Sequence, residues 1–285
     1  MTIVVTGATG NLGSLIVEHL IARGVTPEQV VATGRSEEKL GRFSGTGVRT
    51  AVLDYDRPET IAAALEGATA IVLVSGSEVG RRVQQHAAVV DAAKRAGVRH
   101  LVYTSAPKAD SSDLPLAPDH EATEDLVRQS GIPFTILRNN WYTENYAKPL
   151  ADAEQSGEYA ASTGDGRIAS ATRDEYAEAA AVVLTTPGHD NAVYELSGDE
   201  PWTGADLASA MTEILGRPVR WVPLSTDEHR ERLAGFGLDE GTIGFVTALD
   251  ASIRGGALDV AESDLSRLLG RPALPLVEGL RRAAA

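Results

Sequence analysis

The 285-residue chain contains no cysteine, so disulfides, thiolate nucleophiles, iron–sulfur clusters and cysteine-ligated zinc are excluded, and any redox chemistry must use a borrowed cofactor. Basic residues are in deficit: 26 Lys and Arg stand against 40 Asp and Glu, a formal net charge of −14 with histidines neutral. The resulting negative field repels phosphate backbones and anionic lipid headgroups, which argues against nucleic acid and membrane as partners. The pairs Arg81-Arg82 and Arg281-Arg282 are too short to reverse that. No stretch approaches the roughly 18 apolar residues of a membrane span, and the first apolar run begins at Ile3, so a cytoplasmic protein is expected. The chain also lacks a Gly-x-Ser-x-Gly elbow, which counts against an α/β-hydrolase, and its six histidines show no metal-ligand spacing with carboxylates. Asp54 and Asp56 read as turn chemistry rather than a metal or glycosidase pair.

What is present is ample for a core. Hydrophobic residues make up 43% of the chain and charged residues 23%, a globular balance in a length that fits one large or two modest domains. Short β-branched or apolar runs predict strands over 3–5, 29–32, 48–53, 70–74, 100–103 and 134–137. Helical periodicity falls between them, over 12–20, 37–40, 59–65, 86–95 and 121–129. Strands apolar on both faces that alternate with helices predict an α/β fold, a Rossmann-like doubly wound parallel sheet. After residue 146 the regularity breaks into glycine-rich loops, with a helix over 175–184, a strand over 193–196 and a helix over 205–215. The expected division is a dinucleotide-binding domain over 1–146 and a smaller α+β substrate-covering domain over 147–285, with later strands or helices free to return to the first.

Between the first strand and first helix lies Gly7-Ala8-Thr9-Gly10-Asn11-Leu12-Gly13. The first glycine permits the tight turn, the second lets backbone amides approach a pyrophosphate, and the third allows close helix–strand packing. The helix N-terminus adds partial positive charge. At the end of the second strand, where a carboxylate would hold a ribose 2′-hydroxyl, the chain reads Thr33-Gly34-Arg35. A guanidinium there favours a 2′-phosphate and hence NADPH over NADH, the bland alternative being a solvated arginine. Asp54-Tyr55, past the third strand, suits either the adenine end or a turn cap.

The glycine turn, Ser75-Gly76-Ser77, Tyr103-Thr104-Ser105 and the run Leu137-Arg138-Asn139-Asn140-Trp141-Tyr142-Thr143-Glu144-Asn145-Tyr146 together resemble the NmrA-like atypical short-chain dehydrogenases. Within them the chain is most similar to the type 2 NADPH:quinone oxidoreductases, with triphenylmethane-dye reductases close by. The resemblance continues through residues 164–173 and 193–199 and so covers most of the chain. It implies an enzyme passing hydride from NADPH to a quinone without flavin. It also implies that the glycine turn and Arg35 hold the phosphates, while Ser75, Gly76 and Ser77 and the segment Asn139, Asn140, Trp141 and Tyr142 flank the nicotinamide. Gly76 and Asn140 stand where relatives carry other small residues, which bears on acceptor range more than on cofactor binding.

Ordinary short-chain dehydrogenases place a lysine four residues after a catalytic tyrosine, lowering the phenol's pKa. None of the seven tyrosines here has one. No catalytic residue is assigned; His120, on the helix before the sixth strand, is a weak candidate for a proton relay. Without an activated phenol an ordinary ketone is a poor substrate, whereas a quinone is electrophilic enough to take hydride with water supplying the proton. Aromatics are only 5% of the chain, yet Trp141, Tyr142 and Tyr146 cluster just past a strand's C-terminal end, where open α/β sheets bind ligands. They suit the wall of a flat-acceptor site or a staple between domains. Tyr103 and Ser105 offer hydroxyls either to the same crevice or to buried backbone groups. Two other readings stay open, an NADP-binding redox sensor without turnover and a triphenylmethane-dye or azo reductase. So does a homodimer.

Overall fold

A computed structural model describes residues 1–285 apart from Ser77, Val79, Ala261 and Ala285. In chain order its elements are β1 Ile3–Val5, α1 Asn11–Ala22, β2 Val30–Gly34, α2 Glu37–Leu40, β3 Arg49–Val52, α3 Pro58–Ala64, β4 Ala70–Leu73, α4 Arg82–Arg95, β5 His100–Ser105, α5 Ala117–Gln129 and β6 Phe134–Asn139. There follow α6 Ala147–Ser156, β7 Glu158–Ala161, α7 Arg173–Thr185, β8 Ala192–Leu196, α8 Gly204–Leu215, β9 Arg220–Pro223, α9 Thr226–Gly235, α10 Glu240–Arg254, α11 Leu265–Leu269 and α12 Leu276–Ala283.

Seven strands form one sheet in the order β3-β2-β1-β4-β5-β6-β8, every pair parallel. The expected doubly wound sheet is borne out. Its inner strands are buried on both faces because alternate residues serve two cores, whereas the edge strands β3 and β8 are partly exposed. Val5, Val72 and Val102 point into a cluster with Ile16, Leu20 and the alanines of α7. Ile71, Leu101 and Tyr103 point into a second cluster with Ile61, Val89 and Val127 on α3, α4 and α5.

The chain order reverses at β1, where β2 and β3 lie on one side and β4, β5, β6 and β8 on the other. That switch point opens a crevice at the strands' C-terminal ends. Beyond residue 146 the sequence places the helix and strand well but not their address. α7 packs on α1, and β8 pairs with β6 from Thr135↔Ala192 to Asn139↔Leu196, so the sheet takes its seventh strand from the second half of the chain. The two-stranded β7–β9 sheet and helices α6, α8, α10 and α12 surround a third cluster built on Tyr146, Trp202, Leu207 and Met211.

The α1–α7 contact carries an ion pair, His19 Nε2 to Asp174 Oδ1 at 2.7 Å. The hydrogen bond to Asp174 raises the His19 pKa above its ordinary 6.5, and the same bond lowers Asp174 below 3.8. The histidine's contribution to stability is full below pH 6.5 and is lost as pH rises through its folded pKa. The aspartate's is present above pH 3.8 and lost as pH falls through its folded value. The melting-temperature difference between wild type and His19→Gln is therefore expected to be largest between the ordinary values of the two groups, 3.8 and 6.5, and to fall away as pH rises through the raised pKa of His19. A difference independent of pH would contradict the pairing.

Candidate active site

The glycine turn follows from sterics at named atoms. Gly7 has φ +59°, which suits a residue without Cβ. A Cβ on Gly13 would lie 2.4 Å from the Gly7 carbonyl oxygen, and one on Gly34 would lie 2.8 Å from the Thr9 side chain. Backbone bonds Ala8 N–H to Thr33 O at 2.8 Å and Gly10 N–H to Gly7 O at 2.9 Å hold the turn against β2. Helix α1 then starts at the N-cap Gly10 with no side-chain cap and no acidic residue in its first turn. Its leading N–H groups and positive end face the crevice, the arrangement a pyrophosphate requires.

That crevice is a cavity of about 470 Å³, running from Arg35, Asp54 and Tyr55 past Gly7, Thr9, Gly10, Asn11 and Leu12 to Ser75, Gly76, Thr104, Tyr142 and Arg173. Volume, glycine cradle and helix terminus fit a dinucleotide on this chain's own geometry.

Arg35 sits at the mouth, 67% exposed, and its guanidinium donates to Glu78 Oε1 at 2.7 Å. The other Glu78 oxygen takes Arg81 at 3.2 Å and Gln85 at 3.1 Å. Arg35 is thus solvent-exposed but paired: a carboxylate holds it at the rim. Asp54 and Tyr55 both line the cavity, and Asp54 also closes a turn, accepting the Asp56 N–H at 3.1 Å. The Tyr55 hydroxyl donates to Thr6 Oγ1 at 2.8 Å, and burial pushes its pKa up to about 12.

Ser75 and Gly76 form the neighbouring wall, whereas Ser77 lies outside the described residues. Asn139 is buried at the end of β6, outside the residues that line this cavity, and its Oδ1 has no hydrogen-bond partner among the described residues. Tyr142 lines the cavity edge-on to Tyr176, with ring centroids 5.4 Å apart.

Several expected residues face elsewhere. Asn140 donates to Leu258 O at 3.1 Å and accepts the Trp141 N–H at 2.8 Å, which makes it a loop tie. Trp141 packs against the third cluster, and Tyr146 is buried in it against Trp202 at 4.9 Å, so these two serve as the staple and only Tyr142 reaches the cavity. Tyr103 points away, because the strand's alternation sends it to the α4–α5 side, where its hydroxyl meets His120 Nδ1 at 2.8 Å. Burial pushes His120 down to about 3, which favours the neutral imidazole near pH 7. The Ser105 hydroxyl is used by Glu124, at 2.6 Å.

Arg173 was not singled out from the sequence as a site residue. It is the first residue of α7, after the capping box of Thr172 and Glu175, and stands over the Tyr142 ring at 4.6 Å. The Thr172-x-x-Glu175 spacing marks a helix start, but nothing local says that this start abuts a glycine turn some 160 residues earlier.

Comparison with known proteins bears on what the crevice holds. A model of an NAD(P)H-binding family matches residues 7–187. Quinone oxidoreductase 2 of Escherichia coli strain K12 is 40% identical over 278 residues, 98% of this chain and 97% of that protein. The NAD(P)H azoreductase of Xenophilus azovorans is 29% identical over 284 residues, 99% and 98% of the two chains. Among solved structures, the E. coli NADPH-dependent quinone oxidoreductase complexed with NADPH superposes with a TM-score of 0.94 at 39% identity, covering 99% of both chains. The triphenylmethane reductase of Citrobacter sp. also gives 0.94, at 36% identity over 100% and 99%. By the family match and the full-length 40% identity, this chain belongs to the NAD(P)H-binding family and, within it, to the NmrA-like atypical short-chain dehydrogenases.

Proposed function

We infer that this protein is a flavin-independent oxidoreductase that reduces quinones with NADPH. The observation that carries the reading is the single crevice that joins the glycine cradle, the rim cation Arg35 and the Tyr142 side chain. It is supported by full-length similarity to a quinone oxidoreductase. Bound NADPH supplies a hydride. Thr9, Asn11 and Leu12 offer the phosphates their backbone amides, Gly7, Ala8 and Gly10 shape the turn that presents them, Arg35 takes the 2′-phosphate, and Ser75, Gly76 and Tyr142 bound the reacting end.

The chain's own contribution is positioning and exclusion of water. A quinone that gains hydride needs one proton to become hydroquinone, and water supplies it. The tyrosines at the cleft are held protonated: Tyr55 and Tyr142 both have raised pKa values, chiefly from burial. Loss of 340 nm absorbance with NADPH and 1,4-benzoquinone above the enzyme-free rate tests the reading, and NADPH binding without turnover would instead support a redox sensor. Decolourisation of a triphenylmethane dye faster than quinone reduction would favour the dye-reductase reading, to which the Citrobacter relative lends weight.

The rim pair yields a cofactor prediction. Arg35→Asp is expected to weaken NADPH binding by about 10- to 100-fold, the range of one or two charge-assisted hydrogen bonds, with little change for NADH. Glu78→Gln removes the carboxylate that competes for Arg35 and is expected to tighten NADPH but not NADH. Equal effects on both dinucleotides in fluorescence titrations would remove Arg35 from the phosphate site.

A further inference from the structure

Gly76 lines the cleft, yet both of its backbone polar groups are taken by side chains that do not line it. Its N–H donates to His86 Nε2 at 3.1 Å, and its carbonyl accepts from Arg82 Nε at 2.7 Å. Arg82 and His86 are four residues apart on α4, so they share one face of the helix and reach the same peptide from one side. Both are buried, at 4% and 0% exposure.

The tautomer of His86 follows from its other neighbour. The Thr123 hydroxyl has one hydrogen, which goes to the Asp119 carbonyl at 2.8 Å, so its oxygen accepts from His86 Nδ1–H at 3.0 Å. Nε2 is then left with a lone pair, the group the Gly76 N–H needs. Burial of the ring keeps it neutral down to about pH 3, so this arrangement holds at any working pH. On the other side, Arg82 Nη1 stands 3.8 Å from Asp119 Oδ2, and neither atom has a hydrogen-bond partner among the described residues. A relay therefore runs from α5 through Thr123 and His86 to the cleft, with the Arg82–Asp119 pair beside it. The preceding residue is held too, Ser75 N–H donating to Thr104 Oγ1 at 3.0 Å.

We propose that His86 and Arg82 are positioning residues that set the Gly76 peptide in the cleft wall and thereby preorganise the site for the dinucleotide. The proposal rests on the reading of the crevice as the NADPH site. A linker of this kind gains nothing from flexibility: a wall displaced by about 1 Å can cost 100-fold in rate even when no reacting atom is touched.

His86→Phe tests it, since the ring keeps the edge contacts with Tyr55 and Tyr103 but loses the acceptor. In the free protein, exchange of the Gly76 amide is expected to accelerate at least about tenfold. The NADPH dissociation constant is expected to rise by about tenfold, with the Michaelis constant for quinone unchanged. His86→Gln, whose amide keeps one acceptor and one donor, is expected to restore both. Should His86→Phe fail to fold, Thr123→Val removes the hydroxyl that selects the tautomer and must show the same two changes in weaker form. Unchanged Gly76 exchange overturns the clamp. Faster exchange with unaltered NADPH affinity, or no rescue by glutamine, overturns its positioning role. Because exchange is read without cofactor or acceptor, absence of quinone turnover in the wild type would overturn the functional reading while leaving the clamp separately measured.

Discussion

Arg138→Met is expected to lower the free energy of unfolding by up to about 3–5 kcal/mol, the cost of breaking a buried ion pair on one side, since Glu124 keeps only the half-exposed Arg128 at 3.1 Å and the Ser105 hydroxyl. Arg138 lies on β6 with its side chain 7% exposed, and Glu124 on α5 is 3% exposed. The guanidinium grips that carboxylate with two bonds, Nε to Oε1 at 2.9 Å and Nη2 to Oε2 at 2.7 Å. It also donates to Glu195 on β8 at 2.9 Å and to Asp110 at 2.8 Å. One side chain thus ties three elements and a loop together at the C-terminal edge of the sheet.

Its two outer partners respond in opposite directions. The Arg138 hydrogen bond holds the more exposed Asp110 carboxyl below its ordinary range, whereas burial pushes Glu195 up despite the same cation. Urea titration should show a lower midpoint with an unchanged slope for Arg138→Met. Adding Glu124→Leu should recover much of the loss, because a buried ion pair replaced on both sides by apolar groups is often neutral. A loss below about 1 kcal/mol would mean that the network behaves like a surface ion pair.

Gly13→Ala is expected to weaken NADPH binding by about 100-fold, close to 3 kcal/mol. A Cβ at this position would meet three backbone atoms, Gly7 O at 2.4 Å, Gly7 C at 2.7 Å and Ala8 Cα at 2.9 Å. No rotamer change relieves such a clash, so the turn itself must move away from α1, and the amides proposed to hold phosphate move with it. Gly41→Ala is the control. Gly41 has φ −55° and open space around its would-be Cβ, so binding should not change. Retention of wild-type affinity by Gly13→Ala would mean that the turn contributes little to the cofactor site.

The sheet was legible because each of its strands carries its own evidence: an apolar run, a following turn and a helix of matching period. Errors there are confined to ends, as where the strand expected over 100–103 continues to Ser105, its polar tail paired with β6. The α6–β7 and β9–α10 stretches were not read, since half-exposed strands such as Arg220–Pro223 and polar helices such as Thr226–Gly235 have weak periodicity.

The glycine spacing and the missing acid after β2 were likewise local facts, and they sufficed to point to NADPH. Which aromatic faces the cleft was not local. Trp141, Tyr142 and Tyr146 are nearly adjacent in sequence, but the segment is anchored by Thr143 N–H to Ala171 O at 3.0 Å and Ala171 N–H to Trp141 O at 3.2 Å, which turn one ring to the cavity and two into the third cluster.

The sequence by itself therefore determined the layer architecture and the glycine turn between the first strand and the first helix, because strand burial, helix period and glycine sterics act over a few residues. Tertiary structure alone decided that β8 completes the sheet, that Glu78 holds Arg35, that Arg173 covers Tyr142 and that His86 and Arg82 grip Gly76. Each of these joins separate elements, and contacts of that kind are set by packing geometry, which no local pattern of residues encodes.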